Sequence, residues 1–278
     1  PNLLLGSFLV LWGAGFASAH AAFTGVTRLV DGNEAAPSGL NETALGSMGD
    51  LARQIEPGNW ELKFEPQGGY LRSLLAALEV PLSSQLLVFS KTFFQQSRVS
   101  PQTPRAIYFN DRAYVAWIPD APTIEISLVD PKSGAVFYTL DQQKTNAPKL
   151  VRRDQCLECH TSARNLGVPG YLVRSFVTDE NGMVDLNRGI SMVDHRTPVS
   201  QRWGGWYVSG THGSQTHLGN LFGKAAFLRH EAEPNYRGNR TDLTGFFETG
   251  KYPQTQSDIV ALLVFEHQCQ MPPHQRRL

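Results

Sequence analysis

The strongest constraint on the fold is a run of short apolar segments, separated by turn signals, within residues 85–140. Segments 85–90, 106–109, 113–117, 123–129 and 135–140 each read as strands. The connections carry Asn110-Asp111, Pro119-Asp120-Ala121-Pro122 and Asp130-Pro131-Lys132-Ser133-Gly134. Those residues pre-set turn dihedrals or tolerate positive φ. In segment 123–129, Ile124, Ile126 and Leu128 alternate with Glu125 and Ser127. A period of two sends the first set to a buried face and the second to a wetter one. Connections this short join antiparallel neighbours, so the expectation is a meander.

Helices flank this run. Leu71, Leu74, Leu75 and Leu78 fall at i, i+3, i+4 and i+7, a core-facing stripe over 69–78 that Pro81 ends. Residues 257–268 read as a second helix, with Ser257 as N-cap and Asp258 in the first turn. It is apolar almost all round, which predicts burial. Further strands are expected at 171–177 and 206–209, with a hairpin turn at 178–182; residues 141–170 read as irregular. The fold class is therefore α+β: an antiparallel meander sheet with packed helices, not a small all-α fold.

The ends read differently. No charge precedes Arg28, and the apolar block 3–12 runs into Ala17-Ser18-Ala19, a small-x-small cleavage pattern. Residues 1–19 are expected to be an export signal lacking its basic n-region, and the chain is expected to be incomplete at that end. Residues 20–68 are expected to be a loop-rich N-terminal segment, 69–268 a single α+β domain, and 269–278 an irregular, truncated C-terminus in which Pro272-Pro273 stops the helix. No stable membrane span is expected once the signal is removed. Lys plus Arg equals Asp plus Glu at 25 each. That balance argues against a nucleic-acid binder or a polybasic membrane-surface protein.

Two of the three cysteines fall in Cys156-Leu157-Glu158-Cys159-His160, the C-x-x-C-H signature of c-type haem attachment. The spacing has a mechanical reason: two thiols reach the two vinyl groups of one porphyrin, and the adjacent imidazole ligates the iron. Attachment needs an extracytoplasmic apparatus, which agrees with the export signal. Three other readings stand beside it. A zinc site would take Cys156 and Cys159 with two histidines such as His212 and His217. A thioredoxin-type pair would place the first cysteine at a helix N-terminus after a strand, which Asp154-Gln155 does not resemble. A disulfide across two residues would be strained.

The second axial ligand is open. Candidates, in order, are His217, His212, Met192, Met183 and His195, or the position is vacant for a small ligand. Trp203, Trp206 and Tyr207 sit in a glycine-rich stretch, Arg202-Trp203-Gly204-Gly205-Trp206-Tyr207-Val208, that either walls a porphyrin or forms a tightly turned aromatic strand pair. Arg164, Arg174 and Arg188 are candidates for haem propionates. Cys269 reads as a small buried apolar residue.

The chain resembles a group of exported bacterial proteins with a single C-x-x-C-H motif, described as cytochrome c-like and without an established activity. The resemblance rests on Leu87-Val88-Phe89-Ser90-Lys91-Thr92, Pro104-Arg105-Ala106-Ile107-Tyr108-Phe109-Asn110-Asp111, Val168-Pro169-Gly170-Tyr171 and the Arg202–Val208 string. It extends over most of 69–268 and implies one covalent haem c on Cys156 and Cys159, with His160 as proximal ligand. It supplies no substrate. The leading expectation is a periplasmic single-haem electron-transfer protein with an unidentified periplasmic redox partner. The alternatives are a haem enzyme or redox/gas sensor with an open sixth position, and a zinc-stabilised binding module.

Overall fold

The computed structural model describes residues 61–92, 94–130, 134–161 and 167–271, all within one compact unit. The expected export signal, most of the loop-rich segment, Arg164 and residues 272–278 lie outside the described residues.

The meander forms as expected. Strands β1 (Leu86–Val88), β2 (Arg105–Phe109), β3 (Ala113–Trp117), β4 (Thr123–Asp130), β5 (Gly134–Asp141) and β6 (Leu150–Arg152) pair antiparallel in sequence order. A short strand, Trp206–Tyr207, closes the other edge against β1, giving a seven-stranded antiparallel sheet. A separate ribbon pairs β7 (Arg174–Phe176) with β8 (Ile190–Met192); Trp206–Tyr207 is then β9. The chain is α+β, with few helices on a large sheet.

The period of two sorts the sheet into two faces. Leu87, Ala106, Tyr108, Val115, Ile124 and Leu140 pack against helix α1 (Leu71–Ala77), whose buried residues are Leu71, Leu74 and Leu75. On the other face Leu86, Val88, Ile107, Trp203, Trp206 and Leu262 form a second core. The stripe read from leucine spacing is thus the seam of the first layer.

Sequence expectation and structure part at several points. The segment 141–170 is not wholly irregular: it holds β6, a tight turn at Asp154–Cys156 and a single-turn helix α2 (Leu157–His160). Helix α3 (Lys224–Ala232) was not expected, because its buried residues are only Ala226 and Phe227, too few to set a period. The last helix, α4 (Ile259–Gln270), is capped by Asp258, not Ser257. The Asp258 Oδ1 accepts the Val260 and Ala261 N–H groups, at 2.9 Å each. Ser257 is instead buried as a staple: its Oγ accepts the Leu87 N–H at 3.0 Å, and its own N–H donates to Ser209 Oγ at 3.0 Å. Nor is α4 buried all round. Leu262, Phe265 and Glu266 face the core, whereas Val260 is 62% exposed, and Leu263 and Val264 are exposed too. The helix lies as an outer layer and touches the sheet along one stripe only. No helix among the described residues is long and apolar enough to cross a membrane.

Candidate functional site

Antiparallel register lines up side chains on the second face of the sheet. Ile107, Ala116, Glu125 and Thr139 form one cross-strand row; Phe109, Tyr114, Ser127 and Phe137 form the next. Most of these residues, with Trp206 and Phe265, line a cleft of about 400 Å³, within the size range of small-molecule and cofactor sites. A second groove of about 460 Å³, lined by Glu65, Arg72, Trp117, Lys251 and Tyr252 among others, offers no thiol or imidazole among its described lining residues.

The C-x-x-C-H motif lies at the wall of the first cleft: Cys156, Cys159 and His160 all line it. The edge strand β6 brings it there. The Arg153 N–H continues the ladder by donating to the Phe137 carbonyl at 2.9 Å, and the chain then tightens through Asp154–Cys156 into α2. The segment after the motif returns to the sheet, where the Ala135 N–H donates to Pro169 O at 3.0 Å. Gly134, at φ +84°, permits that approach, because a Cβ there would lie 2.4 Å from the Pro169 carbonyl oxygen.

This return holds the imidazole. The His160 Nδ1–H donates to Gly170 O at 2.8 Å, and the Gly170 N–H donates back to His160 O at 3.0 Å. The ring packs at 4.6 Å against Phe137 and 6.2 Å from Tyr171. Such a bond fixes the tautomer with the proton on Nδ1 and the lone pair on Nε2, the usual arrangement of a metal-ligating histidine. Burial pushes the His160 pKa below its ordinary value, more than the Gly170 bond raises it, so the ring is neutral. Burial, with Glu125 nearby, pushes the Cys156 thiol up. That direction is opposite to the depressed pKa of a redox-active thiol, but the placement is not: Cys156 stands at the N-cap of α2 shortly after β6, the strand-to-helix context that Asp154-Gln155 was expected to rule out. Both motif cysteines are free thiols.

Charged groups occupy the floor. Arg105 on β2 and Glu125 on β4 pair across β3, with the Arg105 side chain 7% exposed. Gln95 Nε2 donates to Glu125 Oε1 at 2.9 Å. The Arg153 Nε donates to Thr139 Oγ1 at 2.9 Å, and Arg174 lines the cleft from β7.

Of the residues singled out from the sequence, the cleft gathers Cys156, Cys159, His160, Trp206 and Arg174. Tyr207, one residue beyond Trp206, faces the opposite core and donates its hydroxyl to Pro101 O at 2.7 Å. Trp203 is buried in the second core and donates its Nε1–H to Glu266 at 2.6 Å. The five axial candidates lie elsewhere. His217 is buried against Trp203 and His212, with its Nδ1 accepting the Gly219 N–H at 3.0 Å. His212 Nε2 accepts the Asn239 N–H at 2.8 Å. Met192 sits on β8 opposite Arg174, Met183 is 51% exposed beyond the turn at Asp179, and His195 is exposed. Arg188 lies beside Glu231 at 3.8 Å, outside the cleft. Among the described lining residues His160 is the one imidazole, and no methionine joins it. Nor do the described residues hold a cluster of three or more His, Cys, Asp or Glu arranged for a metal ion, so His212 and His217 do not complete a zinc set with the cysteines.

Sequence reasoning missed Arg105, Glu125 and Arg153. The alternation in β4 put Glu125 on the wetter face, but its partner is two strands away, and only the strand order reveals it.

The glycine pair of the Arg202–Val208 string does not meet the cleft. It is a clasp. The Gly204 carbonyl accepts the Phe176 N–H at 2.9 Å, and a Cβ on Gly204 would lie 2.3 Å from Phe176 O. The Gly205 carbonyl accepts the Phe89 N–H at 2.8 Å. The clasp ties the ribbon to β1 and leaves Trp206 as a wall of the cleft.

No family model, curated protein or solved structure matches this chain.

Proposed function

We propose that this chain is an exported single-haem c-type protein that carries haem c on Cys156 and Cys159, with His160 as the iron ligand, and that it transfers single electrons to and from a periplasmic partner. One observation carries the reading: two thiols and an imidazole line one cleft, and the imidazole is held by Gly170 so that Nε2 is left for a metal. The donor set and the aromatic walls fit the group. When bound, the haem supplies one-electron chemistry whose potential follows the axial ligands, burial and hydrogen bonding.

The chain's own residues set those conditions. The Gly170 bond orients His160 and raises the basicity of its ligating nitrogen. Phe137, Tyr114, Tyr171, Trp206 and Phe265 exclude water on several sides, lowering the local dielectric. Arg174 offers a cation for a propionate. A second reading, ligand binding at an open sixth position, is favoured by the absence of a second histidine or of a methionine among the described lining residues.

The test is maturation in a host with c-type assembly machinery. The expected result is a haem-stained, mass-shifted protein whose alkaline pyridine spectrum reports two thioether bonds. Cys156→Ala and Cys159→Ala should each change that spectrum. A protein that emerges without haem, or with zinc in its place, sinks the reading.

A further inference from the structure

We propose that Arg105 is the recognition group for a small inorganic anion in this cleft, with Glu125 and Gln95 as the residues that position it. The inference rests on the haem reading of the same site.

Three observations carry it. The first is placement. The cleft's floor is the row through Ala116 and Glu125, and Arg105 reaches Glu125 across the strand that bears this small alanine. Arg105, Glu125, Arg153 and Arg174 all line the same cleft as Cys156, Cys159 and His160. The Arg105–Glu125 pair therefore stands in the cleft whose wall carries the two thiols and the imidazole.

The second is preorganisation. Arg105 is fixed at the start of β2, nearly buried, and its guanidinium is held by a carboxylate that is itself held by Gln95. A planar guanidinium presents several N–H donors in a rigid fork, suited to anions. The third is the surrounding chemistry. Ser127, Thr139 and Tyr171 line the same space, with the Ser127 and Tyr171 hydroxyls bonded to each other at 2.7 Å and the Thr139 hydroxyl accepting from Arg153, while the remaining wall is largely aromatic. A charge-assisted hydrogen bond in such a low-dielectric site is stronger than in water. The ligand class is that of azide, nitrite and other anions of similar size.

The experiment uses the haem-loaded protein and two probes: azide with the oxidised form and carbon monoxide with the reduced form, both followed by absorption. Arg105→Leu should raise the azide dissociation constant by about tenfold or more, the scale of one charge-assisted bond. It should leave carbon monoxide affinity within about twofold, since that ligand is neutral. Arg105→Lys keeps the charge without the fork and should fall between; it carries the comparison if the leucine variant does not mature. Glu125→Gln should weaken azide binding less than Arg105→Leu. Unchanged azide affinity overturns the proposal, as does a parallel loss of both ligands. So does a shift in midpoint potential with azide binding intact, which would assign Arg105 to a propionate. A haem-loaded wild type that binds neither probe also overturns it, while leaving the haem reading standing. Absence of haem defeats that reading instead.

Discussion

His217 offers a sharp test of the site's geometry, because the sequence ranks it first as an iron ligand and the structure buries it elsewhere. It is 4% exposed, stacked edge-on to Trp203 at 5.2 Å and 4.6 Å from His212. Burial, reinforced by His212 and His230, holds its pKa down at about 3, against an ordinary 6.5. A histidine depressed in the folded state is neutral there and charged in the unfolded chain once pH falls below 6.5. Its contribution to stability is complete above that value and is lost as pH falls toward 3. Between pH 6.5 and 4.5 the unfolded state alone takes up the proton. Two pH units at about 1.4 kcal/mol each remove about 3 kcal/mol. His217→Gln keeps an acceptor for the Gly219 N–H and does not titrate. Urea unfolding of both proteins at pH 7 and at pH 4.5 isolates the effect, because the other titrating groups cancel in the difference. Whatever gap the two proteins show at pH 7 should move by about 3 kcal/mol in the variant's favour at pH 4.5. A gap that stays constant within about 0.5 kcal/mol refutes the burial of a neutral His217. Were His217 instead an iron ligand, the variant would change the haem spectrum at pH 7; here that spectrum is expected to be unaltered.

Gly204→Ala drives a Cβ into the Phe176 carbonyl and strains the clasp, at a cost of about 2–4 kcal/mol from overpacking and a lost hydrogen bond; chemical denaturation should show it, whereas Gly213→Ala, with open space around its Cβ, bears only the penalty of its left-handed backbone. Glu266→Gln leaves the Arg202 guanidinium, 2.8 Å away and only 11% exposed, without its charge partner, which should cost about 3 kcal/mol in unfolding free energy. Asp258→Ala removes the acceptor for two N–H groups at the start of α4 and should lower stability by about 1 kcal/mol, while Asp258→Ser should recover most of it.

Local signals in the sequence were sufficient for the sheet and for the motif. Turn residues and a period of two placed β2 to β5 within one or two residues, since each strand's face is a local property. Leucine spacing located α1 for the same reason. The C-x-x-C-H spacing is likewise local and named the residues that the cleft gathers. What failed was whatever depends on distance in the chain. Ser257 has the chemistry of a cap, yet a buried amide on β1, 170 residues away, claims its hydroxyl. Tyr207 has the chemistry of a haem wall, but pairing with Leu87 turns it to the far face. The Arg105–Glu125 pair, and the burial of His217 beside His212, likewise emerge only when strands and loops are brought together.

The two faces of the meander also bear on how this protein tolerates change. Alternate residues of β3 and β4 serve two unrelated tasks, one packing α1 and the other flooring the cleft. Point substitutions at Ala116, Glu125 or Ser127 can therefore be explored as a library with the opposite core left intact. Insertions are another matter. One added residue within β4 would exchange the two sets, turning Ile124 and Ile126 into the cleft and Glu125 into the packed layer. Length variation is expected to collect in the turns, with the spacing between Ala113 and Leu140 held rigid wherever this cleft is kept.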